Sequence, residues 1–416
     1  MPSLETKRDV KPVLVLGGRE RHALAIVRSL GRRDIPVFVA DDHRNCTSAL
    51  SRYCAGQFVY PTPERAPEAF IKRVGEILAS QEFEMVFPVT DIIPILLSRH
   101  KKELSQYSKI LVPDAQVFER ANNKALTFDI AKKATIPIPQ THAVSNKAEL
   151  LAIKNSLQYP VVLKPASKTI LELGASISIK ALYANSAEEL VSKFDGAHQP
   201  GIVFLIQEYI PGEGGQGVGL LCQNGETLAS FAFKRLHEYP VTGGASTLRV
   251  GIENPQMIEI AKRLAKAMEW DGVAMVEFRT DSRDQTPKLI EVNGRFWGSL
   301  ALAIYSGVDF PHLLYQMARG ESIAPPTTYK TNIKARWLIP GDIMYLLEAL
   351  RVKPNRLATF FDFFQLSNVR DDVLSWDDPL PVFGELKAGL GYFVEVLAGK
   401  RSLHGEVKRK QLGEIK

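Results

Sequence analysis

The sequence of 416 residues has few cysteines and no long apolar run. Its three cysteines, Cys46, Cys54 and Cys222, form no CxxC pair, so the sequence indicates neither a disulfide framework nor a thiolate zinc site. The charged N-terminus lacks the apolar core of a secretory signal. No apolar run reaches the roughly 18 residues that span a bilayer. We therefore expect a cytoplasmic protein in a reducing compartment.

Several common catalytic motifs are also missing. The sequence has no GxxxxGK[ST] phosphate loop, no HExxH zinc motif and no GxSxG nucleophile motif. Gly17-Gly18-Arg19-Glu20 follows a predicted strand but does not match the GxGxxG dinucleotide fingerprint. The absence of a phosphate loop excludes a P-loop NTPase, and a dinucleotide site has no support.

The composition and the charge indicate a folded protein with a nearly neutral body. Apolar residues make up 45% and charged residues 24%, and at roughly 100 to 200 residues per domain the length predicts two or three domains. The formal net charge is +6, and residues 398–416 hold six Lys or Arg against two Glu. The rest of the chain therefore carries only +2, which argues against a nucleic-acid-binding core.

Hydrophobic patterns predict an α/β domain followed by an α+β region. The run Val13–Gly18, the amphipathic stretch Arg21–Leu30 and the run Ile35–Ala40 form a β-α-β unit, the start of a Rossmann-like parallel sheet. Ligands bind at strand ends in such sheets, here near Arg19-Glu20 and residues 87–91. After residue 115 the pattern mixes helices with closely spaced strands, and the residues after about 325 carry no recognisable motif.

Two carboxylates and an amide lie on neighbouring predicted strands. Glu291 and Asn293 are two residues apart, so their side chains leave the same face, and we expect Glu277 opposite them. Three oxygen donors would then converge, with no basic residue beside them at the same level of the strands. Adjacent carboxylates repel unless a hard cation lies between them, and Mg²⁺ prefers oxygen ligands. The alternative is a hairpin whose glutamates face solvent.

Two further signals are consistent with a nucleotide site. Lys164 ends the buried run YPVVLKP, where it could meet a phosphate, and Lys124 begins a predicted helix. The segment Gln207–Ile210 ends an apolar strand, so its backbone could bind a planar base and Glu208 could accept the exocyclic amine. Each feature alone also fits a surface lysine or a strand that runs into a loop.

The residues described above follow one another in a fixed order: Lys124, Lys164, Gln207–Ile210, Glu277 and Glu291-x-Asn293. This ordered set resembles the ATP-grasp superfamily, and the resemblance covers roughly residues 12–325. The resemblance implies a Rossmann-like pre-ATP-grasp domain over residues 1–114, a two-subdomain ATP-grasp fold over 115–325 and a C-terminal extension over 326–416. Within the ATP-grasp fold it implies a lid at about 124–205, a hinge at 207–210 and a catalytic subdomain at 211–325.

The resemblance also implies the role of each site residue. Lys124 and Lys164 would hold the phosphates of ATP, and the adenine hinge would consist of Gln207, Glu208, Tyr209 and Ile210. The ligands of Mg²⁺, with two ions and Mn²⁺ as a substitute, would be Glu277, Glu291 and Asn293. Arg295 would lie near the transferred phosphoryl group. The acid that binds the ribose would be Glu213, unless Gln216 takes its place.

Most relatives of this kind join a carboxylate to an amine through an acyl phosphate, which is the function we expect. Residues 234–249 are similar to segments of amino-acid and peptide ligases, where the counterpart of Arg249 would clamp a substrate carboxylate. A surface-paired arginine is the alternative. Two other functions stay open: activation of bicarbonate, as in carboxylases and carbamoyl-phosphate synthases, and a nucleotide-binding subunit without catalysis.

The expected partners are small molecules and no nucleic acid. The amphipathic stretch 386–397 followed by the basic residues of 398–416 could favour contact with an anionic membrane, so the protein could be peripheral to the inner face of the membrane. A solvated basic tail is the alternative. The resemblance also leaves a homodimer open.

Overall fold

The computed structural model of the chain describes residues 10–167, 181–212, 214–241, 243–364 and 367–397. The N-terminal elements are β1 (Val13–Leu16), α1 (Arg21–Gly31), β2 (Val37–Asp41), β3 (Cys54–Val59), α2 (Pro67–Ser80), β4 (Val86–Pro88), α3 (Ile92–Arg99) and α4 (Lys101–Leu104). The strands form a parallel sheet in the order β3-β2-β1-β4. The predicted Rossmann-like start is therefore confirmed.

Strand β1, in the interior of this sheet, ends at the sheet's carboxyl edge, so the loop that follows β1 lies there. All four residues of β1 are buried, as expected of a strand covered on both faces. Helix α1 packs against it because Ala23, Ile26 and Leu30 recur on one helical face and are fully buried. Between them, Gly17 has a φ of 96°, a conformation that glycine adopts without strain.

A second four-stranded sheet, the small sheet of the C-terminal part, follows two helices. The elements are α5 (Ala115–Asn122), α6 (Lys124–Lys133), β5 (Thr141–Val144), α7 (Lys147–Ile153), β6 (Val161–Pro165), β7 (Leu182–Ala184), α8 (Ala187–Ala197) and β8 (Phe204–Glu208). The strands pair antiparallel in the order β5-β8-β6-β7. Ser186 caps α8 by accepting a hydrogen bond from the Glu189 backbone N–H.

The rest of the described chain consists of β9 (Gln216–Gln223), β10 (Glu226–Tyr239), β11 (Ala245–Gly251), α9 (Pro255–Ala267), β12 (Gly272–Thr280), β13 (Pro287–Asn293), α10 (Leu300–Ser306), α11 (Phe310–Ala318), β14 (Lys334–Arg336), α12 (Ile343–Val352), α13 (Arg356–Phe363), β15 (Val369–Asp371) and α14 (Pro381–Leu397). Its seven strands form the largest sheet, in the order β13-β12-β9-β10-β11-β14-β15. The architecture agrees with the expected α/β and α+β fold.

The segment after residue 325 is built into both neighbouring parts. Strand β14 pairs with β11, and β15 pairs with β14, so this segment completes the large sheet. Helix α14 packs on the short turn Thr47–Leu50, where a side chain at Gly384 would come within 2.8 Å of the Thr47 Cα. A buried ion pair of 2.9 Å joins Arg28 of α1 to Asp378.

The same segment exposes many large apolar side chains. The exposed apolar residues on and beside α12, α13 and α14 include Ile343, Leu347, Val352, Leu357, Phe360, Phe361, Phe364, Leu380, Phe383, Leu386, Leu390 and Val394. Among the described residues, no helix is both long and apolar enough to cross a membrane. The basic tail, residues 398–416, lies outside the described residues.

Candidate functional site

A cleft of about 1090 Å³ lies between the sheet β5-β8-β6-β7 and the seven-stranded sheet, beside the loop after β1. Most of the site residues expected from the sequence line it: Lys164, Gln207, Glu208, Tyr209, Ile210, Glu277, Glu291, Asn293 and Arg295. Lys124 lies in a small adjoining cavity of about 30 Å³, which shares Asn293 and Arg295 with the cleft. Residues distant in sequence therefore meet at one place.

The three expected oxygen donors are adjacent. Glu277 and Glu291 are partners in the register of β12 and β13, as the sequence predicts. The Asn293 side-chain amide donates a hydrogen bond of 3.1 Å to Glu291 Oε1. The side chains of Glu277 and Glu291 are only 18% and 15% exposed, so they face the cleft rather than open solvent. Two carboxylates and an amide are donors that fit Mg²⁺.

The expectation that no basic residue lies beside these donors is wrong. Arg235 Nη2 lies 2.5 Å from Glu277 Oε2, and Lys124 Nζ lies 3.6 Å from Glu291 Oε2. Arg235 can reach Glu277 because Gly215 has no side chain; a Cβ there would lie 3.0 Å from the Arg235 Cδ. Burial opposes the charge of Arg235, but Glu277 and Glu238 outweigh burial and raise its pKa. These cations offset the repulsion between the two carboxylates.

Both expected phosphate-binding lysines are buried rather than on the surface. Lys164 lies on β6, is 8% exposed, and its Nζ is 5.8 Å from the centre of the Phe128 ring. Lys124 is 5% exposed, and its backbone N–H donates to the Ala166 carbonyl at 2.8 Å. That hydrogen bond ties the start of α6 to the end of β6, so both lysines are held near the cleft.

The expected hinge lies at the end of β8, where the small sheet meets the cleft. The Gln207 side-chain amide donates to Thr141 Oγ1 at 2.9 Å, and the Glu208 N–H donates to the Gln140 carbonyl at 2.8 Å. The Glu208 carboxylate is already paired with Arg283, and Lys288 lies 3.7 Å away. Burial alone would raise the pKa of Glu208, but these cations lower it below its usual value.

This pairing changes the expected role of Glu208. Its carboxylate is held by Arg283, so it is not poised to accept the exocyclic amine of a base. The backbone of the segment still reaches the cleft, since Tyr209 and Ile210 both line it. The Ile210 carbonyl accepts a hydrogen bond of 3.4 Å from Arg279.

Arg295 joins the catalytic part of the cleft to the N-terminal domain. Its Nε donates to Asp91 Oδ1 at 2.5 Å, and its Nη1 donates to the Phe296 carbonyl at 2.9 Å. Asp91 follows β4, in the strand-end segment that the sequence marks as a ligand-binding edge. Burial opposes the charge of Arg295, but Asp91 outweighs burial and raises its pKa. The guanidinium therefore remains charged at the cleft wall.

Arg249 does not occupy the position expected of a clamp on a substrate carboxylate. Its side chain is fully buried and is ion-paired with Asp372, which follows β15. Arg249 is not among the described residues that line the cleft. The sequence could not reveal this position because the partner lies 123 residues further along the chain.

The expected ribose contact cannot be placed. Glu213 lies outside the described residues. Gln216, the alternative, begins β9 and accepts a hydrogen bond of 3.2 Å from Thr280 Oγ1.

Three residues at the far end of the cleft were not singled out from the sequence: Arg21, Trp337 and Glu385. Arg21 donates 3.1 Å hydrogen bonds to the Gly298 and Ser246 carbonyls, and its guanidinium carbon lies 4.1 Å from the Trp337 ring centre. Burial lowers the pKa of Arg21 to about 10. Trp337 and Glu385 carried no sequence signal, because they lie in the C-terminal segment without motifs.

The sequence is similar to known proteins over much of its length. Residues 202–339 match the family described as ATP-grasp in the biosynthetic pathway with Ter operon. The D-aspartate ligase of Enterococcus faecium (strain Aus0004) is 24% identical over 284 residues, which cover 63% of this chain and 66% of that ligase. The match thus spans just under two thirds of the ligase.

Solved structures share the fold. The biotin carboxylase domain of the Hydrogenobacter thermophilus 2-oxoglutarate carboxylase, solved with MgADP and bicarbonate, matches with a TM-score of 0.63 at 14% identity, over 78% of this chain and 73% of that chain. An L-amino acid ligase from Bacillus licheniformis matches with a TM-score of 0.56 at 18% identity, over 74% of each chain. At these identities the likeness is one of fold.

Proposed function

We propose that the chain is an ATP-grasp enzyme, an ATP-dependent ligase that joins a carboxylate to an amine. The observation that carries the proposal is that Glu277, Glu291, Asn293, Lys164 and Arg295 meet in one cleft. Oxygen donors for a metal beside fixed cations suit a nucleoside triphosphate. The likeness to a D-aspartate ligase and an L-amino acid ligase favours an amino acid as one substrate.

ATP would lie between the sheet β5-β8-β6-β7 and the seven-stranded sheet. Its adenine would contact the hinge at the end of β8, Gln207–Ile210, whose residues line the cleft. Its phosphates would lie beside Lys164 and Lys124, which the fold holds in buried positions. Buried cations are effective here because charge interactions strengthen where water is excluded.

Glu277, Glu291 and Asn293 would hold Mg²⁺, and two ions fit the family resemblance. Mn²⁺ would be an alternative, since carboxylate and amide oxygens also suit that ion. When bound, the metal offsets the negative charge of the phosphates. Arg235 and Lys124 each lie beside one of the two glutamates and offset the repulsion between the carboxylates.

The proposed chemistry has two transfers. A substrate carboxylate oxygen attacks the γ-phosphorus, the bond to ADP breaks, and an acyl phosphate forms. The amine nitrogen, once its ammonium form has given up a proton, attacks the acyl carbon, phosphate leaves, and the nitrogen loses a second proton to give the amide. The protein contributes position and charge, with Lys164 and Arg295 beside the transferred group, and no nucleophilic side chain is required.

Activation of bicarbonate is a second candidate function. The solved biotin carboxylase domain with this fold contains bicarbonate, which supports the candidate. A nucleotide-binding subunit without catalysis is a third, and the presence of all three oxygen donors in the cleft argues against it.

Phosphate release from ATP, measured with carboxylic acids and pooled amines, tests the proposal. We expect release that requires an organic carboxylate and rises when an amine is added. Glu291→Gln is the blank, and Glu76→Gln, which changes an exposed carboxylate on α2 that pairs with Arg73 at 3.0 Å, is the matched control. Release that only bicarbonate stimulates would favour the second candidate, and release that no carboxylate affects would contradict the proposal.

A further inference from the structure

The far end of the cleft is formed by the C-terminal segment. Trp337, Pro340, Gly341 and Met344 line it from one side, and Glu385, Ala388 and Gly389 of α14 line it from another. Except for Trp337, these residues lie beyond residues 202–339, the segment that matches the ATP-grasp family. They leave space in the same cleft as the proposed phosphate and metal ligands, so a second substrate could lie against them.

Glu385 is a buried carboxylate in this wall. Its side chain is on α14, and the residue is 6% exposed. Its two hydrogen bonds are long: Trp337 Nε1 donates to Oε2 at 3.4 Å, and Thr47 Oγ1 donates to Oε1 at 3.4 Å. Among the described residues, no lysine or arginine nitrogen lies within 4.0 Å of it.

The nearest charges do not neutralise this carboxylate directly. Arg21 acts on Glu385 through space, but its donors are taken by the Gly298 and Ser246 carbonyls, and its ion pair is with Asp372 at 3.5 Å. Glu20 adds a further negative charge. A buried carboxylate with weak hydrogen bonds and no paired cation is unfavourable, and a ligand cation would relieve it.

The wall that holds Glu385 is closely packed. The Trp337 ring lies under Arg21 on one side and against Gly341 on the other, where an added Cβ would be 2.3 Å from a ring carbon. Gly384 brings α14 close to Thr47. The carboxylate is therefore fixed in place, as a recognition group should be.

We propose that Glu385 binds the ammonium group of the amine substrate, so that the C-terminal segment selects the amine. This inference rests on the proposed ligase function. An amino acid or another primary amine would supply the cation that Glu385 lacks. Burial independently raises the pKa of Glu385 to about 7, as expected for a carboxylate without its cation.

The test separates the amine from the carboxylate half of the reaction. Hydroxylamine, a small neutral nucleophile, traps an acyl phosphate as a hydroxamate without the ammonium group. In Glu385→Gln we expect hydroxamate formation from the best carboxylate to stay within about twofold, while the KM for the amine rises about ten- to a hundredfold, the range for a hydrogen bond to a charged group. Glu76→Gln is the matched control.

A second variant keeps the proposal testable if Glu385→Gln does not fold. Gly389→Ala adds a methyl group to the same wall with its nearest contact at 3.8 Å from Pro340, so it should fold. We expect it to raise the KM of bulky amines and to leave methylamine and hydroxylamine unaffected.

Three results would overturn the inference. An unchanged KM for the amine in Glu385→Gln would exclude the ammonium contact. An equal loss of hydroxamate and amide product would mean that Glu385 supports the first transfer or the fold instead. No hydroxamate from the wild-type protein with any carboxylate would overturn the proposed ligase function itself, a result distinct from the other two.

Discussion

Replacement of Arg249 by methionine separates the observed buried ion pair from the substrate clamp expected from the sequence. Arg249 is fully buried, and Asp372, its partner, is 2% exposed. Methionine keeps much of the side chain's length but removes the charge, so Asp372 would remain as a buried carboxylate. Arg21 would still lie 3.5 Å from it.

The expected cost follows from this geometry. Removal of one partner of a buried ion pair typically costs about 3 to 5 kcal/mol, because the other charge is left uncompensated. The remaining contact with Arg21 places Arg249→Met near the lower end, at about 3 kcal/mol. In the double variant Arg249→Met with Asp372→Asn both charges are gone, and we expect a stability within about 1 kcal/mol of the wild type.

Urea unfolding followed by tryptophan fluorescence measures this difference through the transition midpoint at constant slope. The KM for the carboxylate, measured on the folded single variant, should change less than about threefold, since a buried residue does not touch substrate. If the single variant unfolds within about 1 kcal/mol of the wild type while that KM rises about a hundredfold, Arg249 binds substrate and the reasoning from burial fails.

Three further outcomes are expected. Glu277→Gln should weaken MgADP binding more than about tenfold in calorimetry, since it removes a carboxylate donor, and unchanged binding would remove Glu277 from the metal site. The pKa of Glu385 is raised from 4.5 to about 7, so its protonated form stabilises the fold below pH 4.5, and this contribution is lost as pH rises through 7. Relative to the wild type, Glu385→Gln should therefore gain more stability at pH 8 than at pH 5, by up to about 3 kcal/mol in the free energy of unfolding measured with urea at each pH. An equal gain at both pH values would contradict the shift. If α14 and the basic residues 398–416 contact an anionic membrane, the alternative to a solvated tail, the protein should co-sediment with phosphatidylserine vesicles and deletion of 398–416 should abolish this; equal sedimentation of both forms would exclude this role of the tail.

The oxygen donors could be predicted because they depend on local geometry. Residues two apart on a strand share a face, and a short polar connection between two apolar runs predicts a hairpin, so the proximity of Glu277, Glu291 and Asn293 could be predicted from spacing. Their role as metal ligands comes only from the family resemblance, because spacing leaves a solvent-facing hairpin open. The β-α-β start is similarly local, since each apolar run and helix is continuous in sequence.

The surroundings of these donors depend on pairings between distant strands. Arg235 reaches Glu277 only because β9 lies between β10 and β12 and Gly215 leaves room, an order that periodicity does not specify. The register of β10 with β11 also shifts between Arg235 and His237, so the direction of nearby side chains could not be read from alternation.

The C-terminal segment shows the same limit. Asp372 pairs with Arg249 and Glu385 lies against Thr47 through contacts that span 123 and 338 residues. Neither Asp372 nor Glu385 stands out in the sequence, since single acidic residues between amphipathic helices usually face solvent. Only the packing of β15 and α14 onto earlier elements places them inside.

The proposed mechanism depends on one step, in which ATP phosphorylates an organic carboxylate bound beside Lys164 and Arg295. Mass spectrometry of the phosphate released from an ¹⁸O-labelled carboxylate tests this step, with Glu291→Gln as the blank. We expect each phosphate released during amide formation to carry one labelled oxygen from the carboxylate. Unlabelled phosphate released together with ADP during amide formation would contradict an acyl phosphate and the ligase mechanism built on it.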